Sequence, residues 1–301
     1  MSAKALEKIR REVEEIGALP TLPDVPMRIL ELIASEESSM GEISKTVSRD
    51  PALTANILKV ANSPYYGVRE KVGSLKLALA IVGLNEIINI ITSISLVRMF
   101  GSQKSPGRFD RPRFWRHSFG CASASQMLAR ELRFAFEGVE FVAGLLHDIG
   151  KLIMDQYFHA KLNEIWNLSE KEGIPILEAE SRIMGVDHAT LGAWLAQRWH
   201  LPAALVEAIT YHHSPLDVLA LPTPSGKPAL TAIVHLGDIL ACEPDLNFTE
   251  SSASPEAFGK NLAWKIILAE RPDLDRERLE RFVGKYDEYK ARVNALVEAV
   301  A

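Results

Sequence analysis

The chain is 301 residues long, 47% hydrophobic and 24% charged, which is globular composition with enough apolar mass for one large or two small cores, and not a disordered tail. Its 34 basic side chains against 39 acidic ones leave a formal net charge of −5, so no global positive field exists to hold nucleic-acid phosphates. Its two cysteines, Cys121 and Cys242, form no CxxC pair, which excludes a disulfide framework and a thiolate zinc site and points to a reducing cytoplasm.

The opening residues MSAKALEKIRREVEEIG are charged and helically periodic through Leu6, Ile9, Val13 and Ile16, with Gly17 as a stop, and lack the apolar core of a secretory signal. Prolines at 20, 23 and 26 then force an extended connector before Met27 to Ala34 resumes a helical pattern. Helices follow over Met40 to Ser48, Ala52 to Asn62, Leu75 to Val82 and Leu84 to Met99. The apolar stretch from Leu75 to Phe100 is interrupted by Asn85, Glu86, Asn89, Thr92, Ser93 and Ser95, so it reads as buried helix and not as a membrane span. Met40 to Asn62 has the outline of a helix-turn-helix. Leu53, Ile57, Leu58 and Val60 line its second helix with Lys59 as sole cation, which favours core over nucleic acid.

The polar run from 101 to 113 reads as a surface loop and divides an N-terminal helical lobe, residues 1–105, from a histidine-bearing lobe, residues 106–245. A second loop spans 214 to 228, a helix runs from Ala229 to Cys242, and EPDLNFTESSASP is a connector. The remaining extension, residues 246–301, closes with a long helix started by Pro272 and Asp273. Its stripe is Leu279, Phe282, Tyr286, Tyr289, Val293, Leu296 and Val300. That stripe reads as one that covers the same chain; a homodimer seam is the alternative, weakened by Gly284 and by the aromatic residues.

Chemistry concentrates in five of the eight histidines and two aspartates: His117, the doublet His147-Asp148, His188, the pair His212-His213, and Asp238. Successive members lie about 24 to 40 residues apart, the length of a helical hairpin, so each can come from a different helix around one centre. Imidazoles with a shared carboxylate suit a two-metal site of first-row divalent ions, iron or manganese before zinc or nickel. A His-Asp doublet reaches one centre only from a helix end, which Gly150 supplies. Lys151, three residues after Asp148, lies on the same side and could meet an anionic oxygen, though a surface lysine is the plainer reading. Arg111, Arg113 and Arg116 could offer anion contacts, or be simply solvated. Of the other histidines, His200 reads as a helix-end residue, and His235 faces the same way as Asp238 and could support the ligands.

GLLHDIGKL, with a histidine upstream, a His-His pair and a late aspartate, resembles the HD superfamily of metal-dependent phosphohydrolases. More closely, LPTLPDVPMRILELI, DPALTANILKVANSPYYG, LALAIVGL, FWRHS, GVDHATLGAWLAQRWHLP and AITYHHSP, over residues 14 to 215, resemble the HDOD family of bacterial signal transduction. The resemblance implies an all-α, multi-helical HD-like bundle with an N-terminal helical lobe, and a regulatory role. Carried over from the catalytic HD relatives, the metal positions are His117, His147, Asp148, His188, His212, His213 and Asp238; Asp148 is central to catalysis, and Lys151 meets phosphate. The GYP motif that follows the His-His pair in cyclic-dinucleotide hydrolases is absent, Ser214-Pro215-Leu216-Asp217 standing there. Arg113 also replaces an acidic residue those enzymes often carry before the first histidine. Two functions stay open: a signalling domain that retains a di-metal centre and engages a signalling protein or a phosphorylated small molecule, and a phosphohydrolase acting on a nucleotide or cyclic dinucleotide.

Overall fold

The structure, a computed structural model, describes residues 50–101, 107–222, 225, 227–241, 258–274 and 276–300, together with 9, 20, 21, 27, 44 and 46–48. Apart from Ile9 and Met27, the expected helices 6–16 and 27–34 lie outside what is described, as do the connector after Cys242 and the side chains of the stripe residues Leu279 and Phe282.

Among the described residues there are helices and no strands. Before residue 105 come α1 (Pro51–Ala61), α2 (Leu75–Ile81) and α3 (Leu84–Phe100). Asp50 caps α1 by accepting from Leu53 N, with Pro51 in the first turn, and Ser74 caps α2 through Leu77 N. Leu53, Ile57 and Val60 of α1 are buried and α1 lies against α3, so the helix-turn-helix outline is core.

Then follow α4 (Arg111–Glu131), α5 (Val139–Leu146), α6 (Ile149–Tyr157), α7 (His159–Glu172), α8 (Ile176–Met184), α9 (His188–Arg198) and α10 (Ala203–Tyr211). A short 3-10 helix (Pro215–Ala220) and α11 (Pro228–Ala241) follow, then α12 (Trp264–Glu270) and α13 (Arg276–Val300). Two expected loops are therefore shorter. Asp110 caps α4 by accepting from Arg113 N, so Arg111 to Arg113 are helical, and Pro215 nucleates a 3-10 turn inside the 214 to 228 stretch.

Helix α4 is the hub, in contact with α5, α11 and α13. Its buried run Gly120-Cys121-Ala122-Ser123-Ala124-Ser125 is nearly all small, which lets neighbouring backbones come close. A Cβ on Gly144 of α5 would stand 2.7 Å from Ala122 Cα of α4. A Cβ on Gly150 of α6 would collide with the His188 carbonyl of α9. Gly150 thus permits a helix crossing; the break that the doublet needs lies at His147 and Asp148 themselves, between α5 and α6. The closing stripe covers its own chain: Tyr286, Val293 and Leu296 are buried, and Tyr286 Oη donates to Gly120 O at 3.0 Å.

Candidate metal centre

All seven residues converge. Their inward-facing ligand atoms fall into two groups, His117, His147 and Asp238 in one and Asp148, His188, His212 and His213 in the other. His117 comes from α4, Asp238 from α11, and His147 and Asp148 from the α5–α6 junction. His188 opens α9, and His212-His213 end α10.

Asp148 joins the groups. Its Oδ1 lies 3.0 Å from His188 Nε2 and 3.6 Å from His212 Nε2, while its Oδ2 lies 3.4 Å from His147 Nε2 and 3.6 Å from His117 Nε2. Asp238 Oδ1 sits 3.0 Å from His117 Nε2 and 3.5 Å from His147 Nε2. Both carboxylates therefore face imidazole nitrogens in a largely buried volume, and only His213 is more than slightly exposed.

The outer nitrogens set the ring tautomers. His147 Nδ1 donates to Gly144 O at 2.7 Å, His212 Nδ1 to Ile209 O at 2.7 Å, and His188 Nδ1 to Glu180 at 2.8 Å. Each ring, when neutral, then presents an Nε2 lone pair inward, the arrangement of a metal-ligating histidine. His188 and His213 bring Nε2 atoms within 2.9 Å of each other, and His117 and His147 within 3.2 Å. Asp148 Oδ1, Asp238 Oδ1 and His212 Nε2 are buried with no hydrogen bond. A divalent cation in each group would satisfy these atoms at once, so the donor set fits the ions that it resembles.

The electrostatics of the two carboxylates and of His212 agree with that fit. Burial works against the Asp148 carboxylate, but Lys151, His147 and His188 outweigh it and hold the group well below the usual carboxylate range. Burial likewise opposes Asp238, and the His117 and His147 rings that face it hold it low. Burial lowers His212 to about 4, leaving it neutral at pH 7. At His188 burial is overcome by the Glu180 carboxylate and the ring is carried up to about 9, so a metal would have to displace its Nε2 proton.

Lys151 is not a surface residue. It is 3% exposed and its Nζ donates to Asp148 Oδ2 at 2.6 Å, so its charge is directed to the bridging carboxylate. Arg111 is also engaged, paired with Asp155 at 2.7 Å, and Arg113 and Arg116 belong to α4 and not to a loop. His200 ends α9 in the left-handed region at φ 54°. His235 lies behind the cluster: its Nδ1 donates to the His212 backbone O at 2.6 Å, and Asn261 donates to its other nitrogen at 2.9 Å. Glu180 is the residue that sequence reasoning missed. It is 1% exposed on α8 and accepts from both the His188 backbone N, at 2.9 Å, and the ring. No spacing rule points to it, because the Gly185 turn between the two helices sets the approach.

Fold and site together define an all-helical domain wrapped around a buried histidine–aspartate centre. The HDOD domain model matches residues 19–215, and the chain belongs to that family. Among solved structures, an HDOD domain protein of unknown function from Geobacter sulfurreducens is 27% identical with a TM-score of 0.84, covering 97% of this chain and 98% of its own. A candidate signal transduction protein from Marinobacter aquaeolei VT8 superposes with a TM-score of 0.77 at 23% identity, over 99% of this chain and 65% of its own. A candidate phosphohydrolase from Shewanella amazonensis SB2B does so with 0.73 at 24%, over 100% and 99%. These last two show the fold alone. An uncharacterized Treponema pallidum protein is 26% identical over 202 residues; the match spans 67% of this chain and 39% of that relative's length. Among the described residues no helix is long and apolar enough to cross a membrane.

Proposed function

We propose that the chain is a regulatory signal-transduction domain that holds two divalent ions, iron or manganese by ligand chemistry, in a centre that supports the fold. His117, His147 and Asp238 would hold one ion, His188, His212 and His213 the other, and Asp148 would bridge them. The observation that carries this reading is the closure of the centre around Asp148, whose two oxygens face the two histidine groups while Lys151 pairs with the same carboxylate. Ligands that are mostly buried, with His213 alone more exposed, suit a structural role, and the missing GYP motif points the same way. A partner would be a signalling protein or a phosphorylated small molecule, engaged through a surface outside the centre, and the domain would work in the cytoplasm.

Phosphoester hydrolysis is the second reading, favoured by the bridging position of Asp148. Bound ions would supply Lewis acidity and a water of lowered pKa; Asp148 would orient the centre, and Lys151 would have to leave Asp148 to meet a phosphate oxygen. Elemental analysis of protein purified without chelator or nickel column, beside a His147→Ala/Asp148→Ala double variant, tests both. About two equivalents of iron or manganese, lost in the variant, with no turnover of cyclic dinucleotides or nitrophenyl phosphoesters, is the expected result. Absence of stoichiometric metal after reconstitution overturns the metal centre, and metal-dependent turnover overturns the structural reading.

A further inference from the structure

A cavity of about 630 Å³ lies away from the centre, between the start of α3, the end of α4, the segment leading into α5, and α13. That is the size of a small-molecule site. Its walls are of two kinds. Phe134, Phe136 and Tyr289 give an apolar aromatic side, the two phenylalanines stacked 5.5 Å apart. The other side is acidic: Glu86, Glu131, Glu137 and Glu140 line it against Arg130 and Lys285, and Lys285 Nζ is already 3.5 Å from Glu131.

Two of these carboxylates are held in place. Glu86 accepts from Gln126 Nε2 at 2.8 Å and from Tyr66 Oη at 3.1 Å, and Glu140 accepts from Gly138 N at 3.0 Å. Tyr66 belongs to the Ser63-Pro64-Tyr65-Tyr66-Gly67 phrase, which the metal centre does not use. Asn89 stands one turn along α3 from Asn85 and Glu86, which line the cavity. It is 1% exposed, faces Glu86, and neither amide atom makes a hydrogen bond of proper geometry. Its Oδ1 would be 3.8 Å from a Cβ on Gly138, itself a lining residue, so this buried amide stands behind the wall beside Glu86.

We propose that this cavity binds a small molecule with a protonated amine or guanidinium head on an apolar body. The head would meet Glu86 and Glu140, and the body would lie along Phe134, Phe136 and Tyr289, with the ring faces adding cation–π attraction. Burial pushes both carboxyls up, and the charge of Glu86 further opposes that of Glu140, so a cation between them relieves a cost the free protein carries. An anion would meet more repulsion than attraction here. Helix α5 connects the sites: Gly138 and Glu140 are at its start and His147 follows its end, so a ligand in the cavity touches the helix that presents the doublet.

Isothermal titration of the full chain with tryptamine and agmatine tests this, with indole-3-acetate as the anionic counterpart and inorganic phosphate as an anion control. At least one amine is expected to bind saturably with a Kd below about 1 mM. Glu140→Gln should weaken that binding by about tenfold or more, the worth of one charge-assisted hydrogen bond. Ala135→Trp, at an exposed rim position, should block the cavity sterically with no buried group removed. Metal content, measured in parallel, should be unchanged in both variants, which separates this test from that of the centre. The proposal fails if neither amine binds, if both variants bind as the parent does, or if indole-3-acetate or phosphate binds as well as the amines.

Discussion

Glu180 shows how one side chain can govern a site it does not enter. Because His188 is the first residue of α9, its backbone N–H has no partner within the helix, and Glu180 satisfies that donor and the ring Nδ1 together. Glu180→Gln keeps size and some hydrogen bonding but removes the charge that makes His188 basic. Metal affinity, read by chelator competition, should fall about 10- to 100-fold with the fold retained. Unchanged affinity would mean that the contact only caps the helix. The seven histidines and aspartates were legible as residue types at hairpin spacing, whereas Glu180 was not, since a glutamate eight residues before a histidine carries no pattern. The depth of Lys151 was equally hidden: its place after Asp148 was evident, but burial depends on which helices cover α6.

At the scale of elements, the crossing of α6 and α9 decides where His188 meets Asp148. Gly150 lets the His188 carbonyl and Gly192 N come against α6, the latter 2.8 Å from where a Cβ would stand. Those contacts are backbone and cannot swing away, so Gly150→Ala must separate the helices. A loss of about 1–3 kcal/mol or more is expected in urea unfolding, together with lower metal content. Wild-type stability in that variant would show that the crossing yields without cost. Helix cores were legible from three-four periodicity, and α1, α2, α3, α11 and the stripe of α13 fall within a few residues of expectation. The misplaced boundaries have local causes. Asp110 and Pro112 start a helix inside a run whose composition reads as loop, and Pro215 opens a 3-10 turn in another.

For the whole molecule, a centre tied to α4, α5, α6, α9, α10 and α11 makes bound metal part of the folding free energy, if ions occupy it as proposed. Dialysis against a strong chelator should then lower Tm by several degrees, and re-addition of manganese or iron(II) should restore it. The His147→Ala/Asp148→Ala variant should melt at one temperature with or without chelator. A parent Tm indifferent to chelation would place the stability in the apolar core alone. α4 accounts for the reach of this coupling, since one helix carries His117 near one end and cavity residues such as Gln126 and Arg130 at the other.

By itself the sequence determined an all-helical class, the family, and which side chains are of metal-ligating type, because periodicity and residue chemistry are local properties of the chain. Only the tertiary structure decided that the seven side chains form two groups joined by Asp148, that Lys151 is directed to that carboxylate, and that Glu180 stands behind His188. It alone formed the acidic and aromatic cavity at the far end of α4. Distances between residues remote in sequence depend on how closely helices cross, and here those crossings rest on contacts at Gly144 and Gly150 that no single segment encodes.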